Sequence, residues 1–489
     1  MPPSVFSLKN SVSMKKSLLK IFLFLNLVAV HATNVSITNC TYQDKQFGTS
    51  DAAIVATLTV SWQNAWHNPK NHDAVWLFFK IKNEHEVRSE RHGVLKKGSF
   101  RFVHNYKEAA PMPAFLMPED AAGVFIYPNS SYRGDVSWRV QVEIDLPKVK
   151  NLSNEGLKFV QAHAIEMVEI PQGAFYAGDS DTATQRNTAA FFDYATKKHF
   201  KIESENAITV GTEKGNLFYQ NNNEIEYRGD AKGIIPTAFP KGFKAFYCMK
   251  YELTEGLYTA FLNSISYYYT TNRANFGGRF YQKQRGSIHL DNEIYKTNAP
   301  NRPASFLSFE DQAAFADWAA LRPMTELEYE KAARGTAQPL PNDYPWGTQT
   351  RDKLSRFYNE KGDLVLQLPL DEKDLNESNL AVFGASYYWV MDLNKSLWER
   401  CITVGNENGR KFKGTHGDGD LGGYYGTATN EDWAKGMSDN SGISYRGGGT
   451  YIANMVGSPD GQVGHRNFGA WGDGPRDIAY GFRAVRTVE

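Results

Sequence analysis

The sequence predicts a mixed α+β chain: an all-β unit over residues 34–150, then a loop-rich unit over 160–489 carrying a few short helices. Three observations lead there. Aromatic residues make up 13% of the chain and glycine occurs 41 times, a composition of strands and turns more than of helical bundles. Val136, Trp138, Val140, Val142 and Ile144 alternate with polar residues, the period of a half-buried strand. Thr325-Glu-Leu-Glu328 and Ser308-Phe-Glu-Asp311 carry the signature of helix starts, a hydroxyl followed three residues later by a carboxylate.

Length and charge narrow the function classes. At 489 residues the chain has room for two or three domains with sizeable cores. Its 54 Lys+Arg cancel its 54 Asp+Glu, so there is no cationic surplus to neutralise phosphates and no nucleic-acid partner is expected. Lys15, Lys16 and Lys20 precede the apolar run from Ile21 to Val30, closed by His31-Ala32. This is the pattern of a secretory signal peptide over residues 1–32. The run is about ten residues, short of the roughly 20 needed to span a bilayer. No later stretch is apolar enough to cross one, so the mature chain is expected to be exported (periplasmic, cell-surface or secreted) with no membrane span. Cys40, Cys248 and Cys401 are too few for a disulfide framework. In an oxidising compartment one of them stays unpaired or pairs with another chain.

Within 34–150, Ala53–Trp62 and Ala74–Ile81 read as strands beside Val136–Asp145, with no convincing helix. Short strands separated by turns suggest a β-sandwich of the immunoglobulin or fibronectin kind. A polar bridge at Lys148–Glu155 leads to the second unit. There Thr254 is expected to cap a helix carrying Leu257, Tyr258, Phe261 and Leu262. Ser308 caps a second with Phe315 and Trp318 on one face, and Thr325 caps a third that ends at Gly335. Residues 180–240 and 268–300 look like polar insertions. The aromatic clusters Tyr267–Tyr269 and Tyr387–Trp389 are expected in the core, with a ligand groove as the alternative.

Seven blocks, in order, resemble the sulfatase-modifying-factor domain, the family of the formylglycine-generating enzyme. They are Met167-Val-Glu-Ile-Pro-Gln-Gly-Ala-Phe-Tyr-Ala-Gly178, Phe246-Tyr-Cys-Met-Lys-Tyr-Glu-Leu-Thr-Glu255, Arg322-Pro-Met-Thr-Glu-Leu-Glu-Tyr-Glu-Lys-Ala-Ala-Arg-Gly335, Tyr344-Pro-Trp-Gly347, Met391-Asp-Leu-Asn-Lys-Ser-Leu-Trp-Glu399, Arg446-Gly-Gly448 and Gly481-Phe-Arg483. The resemblance covers residues 165–486 and implies a C-type-lectin-like fold low in regular structure. The expected fold class is therefore α+β, a formylglycine-generating-enzyme-type domain preceded by an all-β sandwich.

The resemblance also implies chemistry that these residues only partly support. Family oxidases hold Cu(I) through two Cys shortly after the Arg-Gly-Gly block, because the soft ion needs thiolate ligands. Here 449–465 contains no Cys, and none follows Cys401, so copper is not expected. Met455 and His465 are read as loop packing. A sulfoxide-forming branch uses iron held by His on a helical-bundle domain, and the eleven His here are scattered without such a domain. A structural calcium site carries over as the Asp392 and Glu399 carboxylates with the Lys395 and Leu397 carbonyls. Lys395 stands where Gly is usual and Ser396 where Asn is usual, and a salt-linked turn is the competing reading of the same residues. Asp418 and Asp420, in His416-Gly-Asp-Gly-Asp420, are a further calcium candidate against a plain Asp/Gly turn.

These features lead to the expectation of an exported, non-oxidase binding or scaffold protein at the cell envelope, with an envelope protein, peptide or glycan as partner. The alternatives are a metal-dependent oxidase related to the formylglycine-generating enzyme and a variable ligand-display protein of C-type-lectin fold.

Overall fold

The computed structural model describes residues 35–488 except 47, 85, 87–89, 154–157, 180–189, 220–228, 277–280, 282–285, 360–362, 395, 436–441, 450–460, 467–468 and 471–475. The expected signal peptide, 1–32, lies outside the described residues.

Nine strands build the first half: β1 (Val35–Lys45), β2 (Ala53–His67), β3 (Asp73–Asn83), β4 (Arg91–His92), β5 (Arg101–Asn105), β6 (Pro113–Leu116), β7 (Val124–Pro128), β8 (Tyr132–Asp145) and β9 (Lys158–Ile170). One sheet has the order β1-β2-β8-β5. The alternating residues of β8 face the core as expected, opposite Ile54, Ala56, Leu58, Val60 and Trp62 of β2. Trp62 meets Trp138 edge-on at 5.2 Å.

A second sheet runs, from one edge to the other, through Arg322–Pro323, Ala484–Thr487, Phe246–Met249, β9, β3, β7 and β6, with β4 also on β3. Its β3 carries an unbroken apolar run from Ala74 to Phe79 because both faces are covered. Val75, Leu77, Phe79 and Ile81 pack under the four-stranded sheet. Ala74, Trp76 and Phe78 face the opposite core, where Phe78 meets Trp318 edge-on and Trp76 Nε1 donates to the Ala319 carbonyl at 2.9 Å.

The expected boundary near residues 150–160 therefore falls inside a continuous sheet. Strand β9 pairs with β3 along Asp73↔Val168 to Asn83↔Lys158 and, on its other side, with Phe246–Met249. The reason is the length of β9: at 13 residues it has backbone enough to ladder with both neighbours.

All three expected helices form, at Glu255–Ser264, Phe309–Trp318 and Glu326–Arg334. Thr254 accepts from the Leu257 N–H, and Ser308/Asp311 and Thr325/Glu328 close reciprocal capping boxes. Gly335 ends the last helix at φ +64°, and an added Cβ there would lie 2.0 Å from Tyr387 Cδ1.

The described parts of the stretches expected to be polar insertions contain regular structure. Within 180–240, Ala190–Asp193, Lys198–Ile202, Ile208–Val210, Leu217–Tyr219 and Gly233–Ile235 join Phe175–Ala177 in a six-stranded sheet. Phe191, Ile202, Val210, Leu217, Tyr219 and Ile235 are buried in the main core. Strands of three to five residues show no period long enough to read in sequence. Within 268–300 lie the rest of the helix Tyr267–Arg273 and a hairpin, His289–Asp291 with Ile294–Lys296.

Strands outnumber helices, and among the described residues no helix is long and apolar enough to cross a membrane.

Candidate functional site

The strongest motif of the sequence is an internal fastener. Every residue of the helix Glu326–Arg334 is buried, and its charges are matched in place. Glu328 pairs with both terminal nitrogens of Arg322. Arg334 makes a two-pronged bond to Asp343 at 2.8 Å and reaches Glu330 at 2.9 Å. Glu330 also receives Arg446 and Arg466. Burial alone would raise the Glu330 carboxyl, but Arg446, Arg466 and Arg334 bring it down to about 2. Lys331 donates to the carbonyls of Pro171 and Gly242. This is cohesion rather than chemistry.

Beyond that helix, the Met391–Glu399 block turns at Asp392, held at φ +64°, and enters the strand Trp398–Ile402. Both Asp392 oxygens accept from Arg356, Oδ1 from Nε at 2.6 Å and Oδ2 from Nη2 at 2.9 Å. Arg356 Nη1 reaches Glu372 Oε1 at 3.0 Å, and Glu372 Oε2 accepts from the Tyr251 hydroxyl at 2.6 Å. Both Glu399 oxygens accept from Arg483, at 3.0 and 2.9 Å, while Arg483 also donates to the Met391 carbonyl. The Leu397 N–H donates to Glu252 Oε1 at 3.1 Å, and the buried Glu252 Oε2 has no hydrogen-bond partner. Burial, and then the neighbouring Glu399, push the Glu252 carboxyl well above the usual carboxylate range against the pull of Arg483. Burial likewise raises Glu399. A cavity of about 160 Å³ beside this cluster is lined by Glu252, Thr254, Asn301, Arg356, Glu372 and Asp392, among others.

The calcium set implied by the resemblance does not fit this arrangement. Lys395 lies outside the described residues. The four oxygens that Asp392 and Glu399 would offer an ion already accept guanidinium N–H groups. Among the described residues, no three His, Cys, Asp or Glu side chains are grouped to hold a metal. The described part of the block is a turn tied by Asp392 to Arg356 and by Glu399 to Arg483.

Asp418 and Asp420 share a lysine. Lys150 Nζ lies 2.6 Å from Asp418 Oδ2 and 3.5 Å from Asp420 Oδ2. The glycines beside them permit close docking: a Cβ on Gly417 would lie 2.3 Å from Asp317 Cα, and one on Gly419, at φ +81°, 2.4 Å from His92 Cβ. The motif thus clasps the helix Phe309–Trp318 and β4 together.

The cysteines are unpaired, with Cys248 and Cys401 fully buried in one apolar cluster and Cys40 half-buried. Burial pushes the Cys248 thiol up to about 12 and the Cys401 thiol well above its ordinary value, with Glu399 adding to the latter. His465 is buried against the Trp398 ring at 5.6 Å, and Met455 lies outside the described residues.

Two residues of the charge cluster, Arg356 and Glu372, lie in none of the seven blocks and carry no flag in the sequence, whereas Glu252 falls within Phe246–Glu255. The tyrosine clusters divide. Tyr388 and Trp389 are buried as expected, but Tyr267 and Tyr268 are 66% and 73% exposed. They begin the helix whose Tyr269 lies against Gly426, where an added Cβ would be 2.4 Å from Tyr269 Cγ. The tip of the adjoining hairpin, Leu421–Gly422 with Thr427–Ala428, presents Tyr424 and Tyr425, 76% and 54% exposed. Neither 266–272 nor 421–430 contains a charged residue.

A domain whose few capped helices are locked by buried carboxylate–guanidinium pairs has a match among known families. Residues 157–488 match the Sulfatase-modifying factor enzyme 1-like domain, and the chain belongs to that family. Among characterised relatives, the formylglycine-generating enzyme of Thermomonospora curvata is 28% identical over 106 residues, 22% of this chain and 34% of that enzyme. The chain thus spans about a third of that relative's length. Among solved structures, the group B streptococcus pilus 2b backbone protein aligns over 43% of this chain and 83% of that one, with 11% identity. Its TM-score of 0.12 is too low to bear on the fold.

Proposed function

We propose that this chain is an exported, non-oxidase member of its family, acting by recognition as a binding or scaffold protein at the cell envelope. The observation that carries the reading is the placement of its sulfur. An oxygen-activating copper centre needs thiolates that a substrate can approach. The stretch 449–465 has no Cys, and the two cysteines of the matched region are sealed in a core with their protons held. The C-type-lectin-like label for residues 160–489 belongs to the same proposal, as does a second contact made by the strands of 34–150, some of which share a sheet with β9.

The surface best suited to recognition is the exposed tyrosine face of Tyr267, Tyr268, Tyr424 and Tyr425. Rigid amphipathic rings set among Gly, Ser, Thr and Asn give large contact area at low ordering cost. The absence of charge in those segments suits an uncharged envelope glycan or an apolar protein face. The test is copper titration followed by aldehyde detection on a Cys-x-Pro-x-Arg peptide. No aldehyde is expected, and turnover with copper would overturn the proposal.

A further inference from the structure

We infer that Arg356 occupies the charge position that the resemblance assigns to calcium, so that this chain has an organic cation built into the block where an ion would sit.

Three features support this. First, Arg356 does for the carboxylates what a cation would do. It takes both oxygens of Asp392 and one of Glu372, bridging two anionic side chains that approach from different parts of the chain. A planar fork with a delocalised charge matches a carboxylate in two places at once, which a lysine ammonium cannot do. Second, the pair is desolvated, both side chains being almost fully covered, so it is not an incidental surface contact. Third, the remaining carboxylate of the implied set is closed in the same way, with Arg483 on both Glu399 oxygens. An ion entering at about 2.3–2.6 Å from Asp392 would have to displace the guanidinium and then face its positive charge at close range. Arg356 comes from the hairpin strand Arg356–Tyr358, 36 residues before Asp392 and outside the Met391–Glu399 block, which is why the block alone still reads as a calcium motif. The inference stands apart from the proposed recognition role.

The consequence is a conditional metal dependence. The unaltered protein should be indifferent to calcium, and removing Arg356 should create the dependence by freeing Asp392. Thermal melting of the full mature chain, in millimolar calcium and in excess EDTA, reads both. The melting temperature of the unaltered chain is expected to be the same in the two conditions. Arg356→Ala and the milder Arg356→Gln, which keeps one hydrogen bond to Asp392, are expected to melt lower in EDTA and to rise with added calcium. Terbium luminescence sensitised by the protein's tryptophans should appear with the variants and not with the unaltered chain. A fall of the unaltered chain's melting temperature in EDTA, reversed by calcium, would overturn the inference. So would a variant that folds, melts lower and gains nothing from calcium or terbium. If neither variant folds, the measurements on the unaltered chain still decide: calcium stabilisation or terbium luminescence there refutes the substitution.

Discussion

The carboxylate of Asp317 holds the backbone of Asp418: Oδ1 accepts the Asp418 N–H at 2.9 Å and the Gly419 N–H at 3.2 Å, while Oδ2 accepts the Thr429 N–H at 2.8 Å. A helix end thereby organises a loop a hundred residues further on. Through Lys150 that loop also reaches the segment that follows β8.

Gly417→Ala should be costly while Lys150→Ala should not. The added methyl would strike Asp317 Cα and force the loop off the helix, a change expected to cost about 3 kcal/mol. Lys150 and Asp418 are both exposed, and losing that pair should cost at most about 1 kcal/mol. Urea unfolding of the two variants measures both. Similar midpoints would mean that the loop is not docked as described.

The Glu330 cluster makes an acid-sensitive contribution. Its carboxyl titrates at about 2 in the folded chain against an ordinary 4.5, so the stabilisation is complete above about 4.5 and fades as pH falls towards about 2. Glu330→Gln leaves three arginines short of their acceptor and should lower stability by about 4 kcal/mol at neutral pH. Between neutral pH and about pH 3 the variant should lose stability less steeply than the parent chain. Parallel denaturation curves across that range would contradict the assignment.

The thiols should divide by accessibility. In the native protein a thiol reagent should modify Cys40 alone on a short timescale, and slowly, because burial raises its thiol too. Cys248 and Cys401 should react only on unfolding. Peptide mapping after timed labelling gives the order, and early labelling of Cys401 would expose a path to the core that the recognition reading does not allow.

Exchanging Tyr267, Tyr268, Tyr424 and Tyr425 for Ser should change stability by no more than about 1 kcal/mol, since the rings are mostly in solvent. The same variant should lose most of its retention on immobilised neutral envelope polysaccharide or on a purified envelope partner. Retention equal to the parent's would remove this face from the function.

What the sequence conveyed depended on distance along the chain. The caps at Thr254, Ser308 and Thr325 and the alternation of β8 were legible because each is a local rule spanning a few residues. The apolar run of β3 stands in the sequence, but neither its burial on both faces nor the layers that cover it follow from the run alone. Arg356 and Asp392 lie 36 residues apart, and Arg483 and Glu399 lie 84 apart, so no periodicity couples them. The calcium expectation rested on the block without its long-range arginines. The small strands of 190–235 escaped for the opposite reason: each is too short to repeat anything. The exposure of Tyr267 and Tyr268 could not be told from ring content, which suits a core and a recognition surface equally well.

The two-sided pairing of β9 bears on how the gene can be handled. The stretch matching the family begins at residue 157, just ahead of β9, and omits the whole eleven-residue flank that β3 supplies. A fragment trimmed by homology to that stretch would display a long naked edge, an invitation to swapping and fibril growth. The family module in this chain is therefore not a portable cassette, and a workable shortening has to start upstream of Val35.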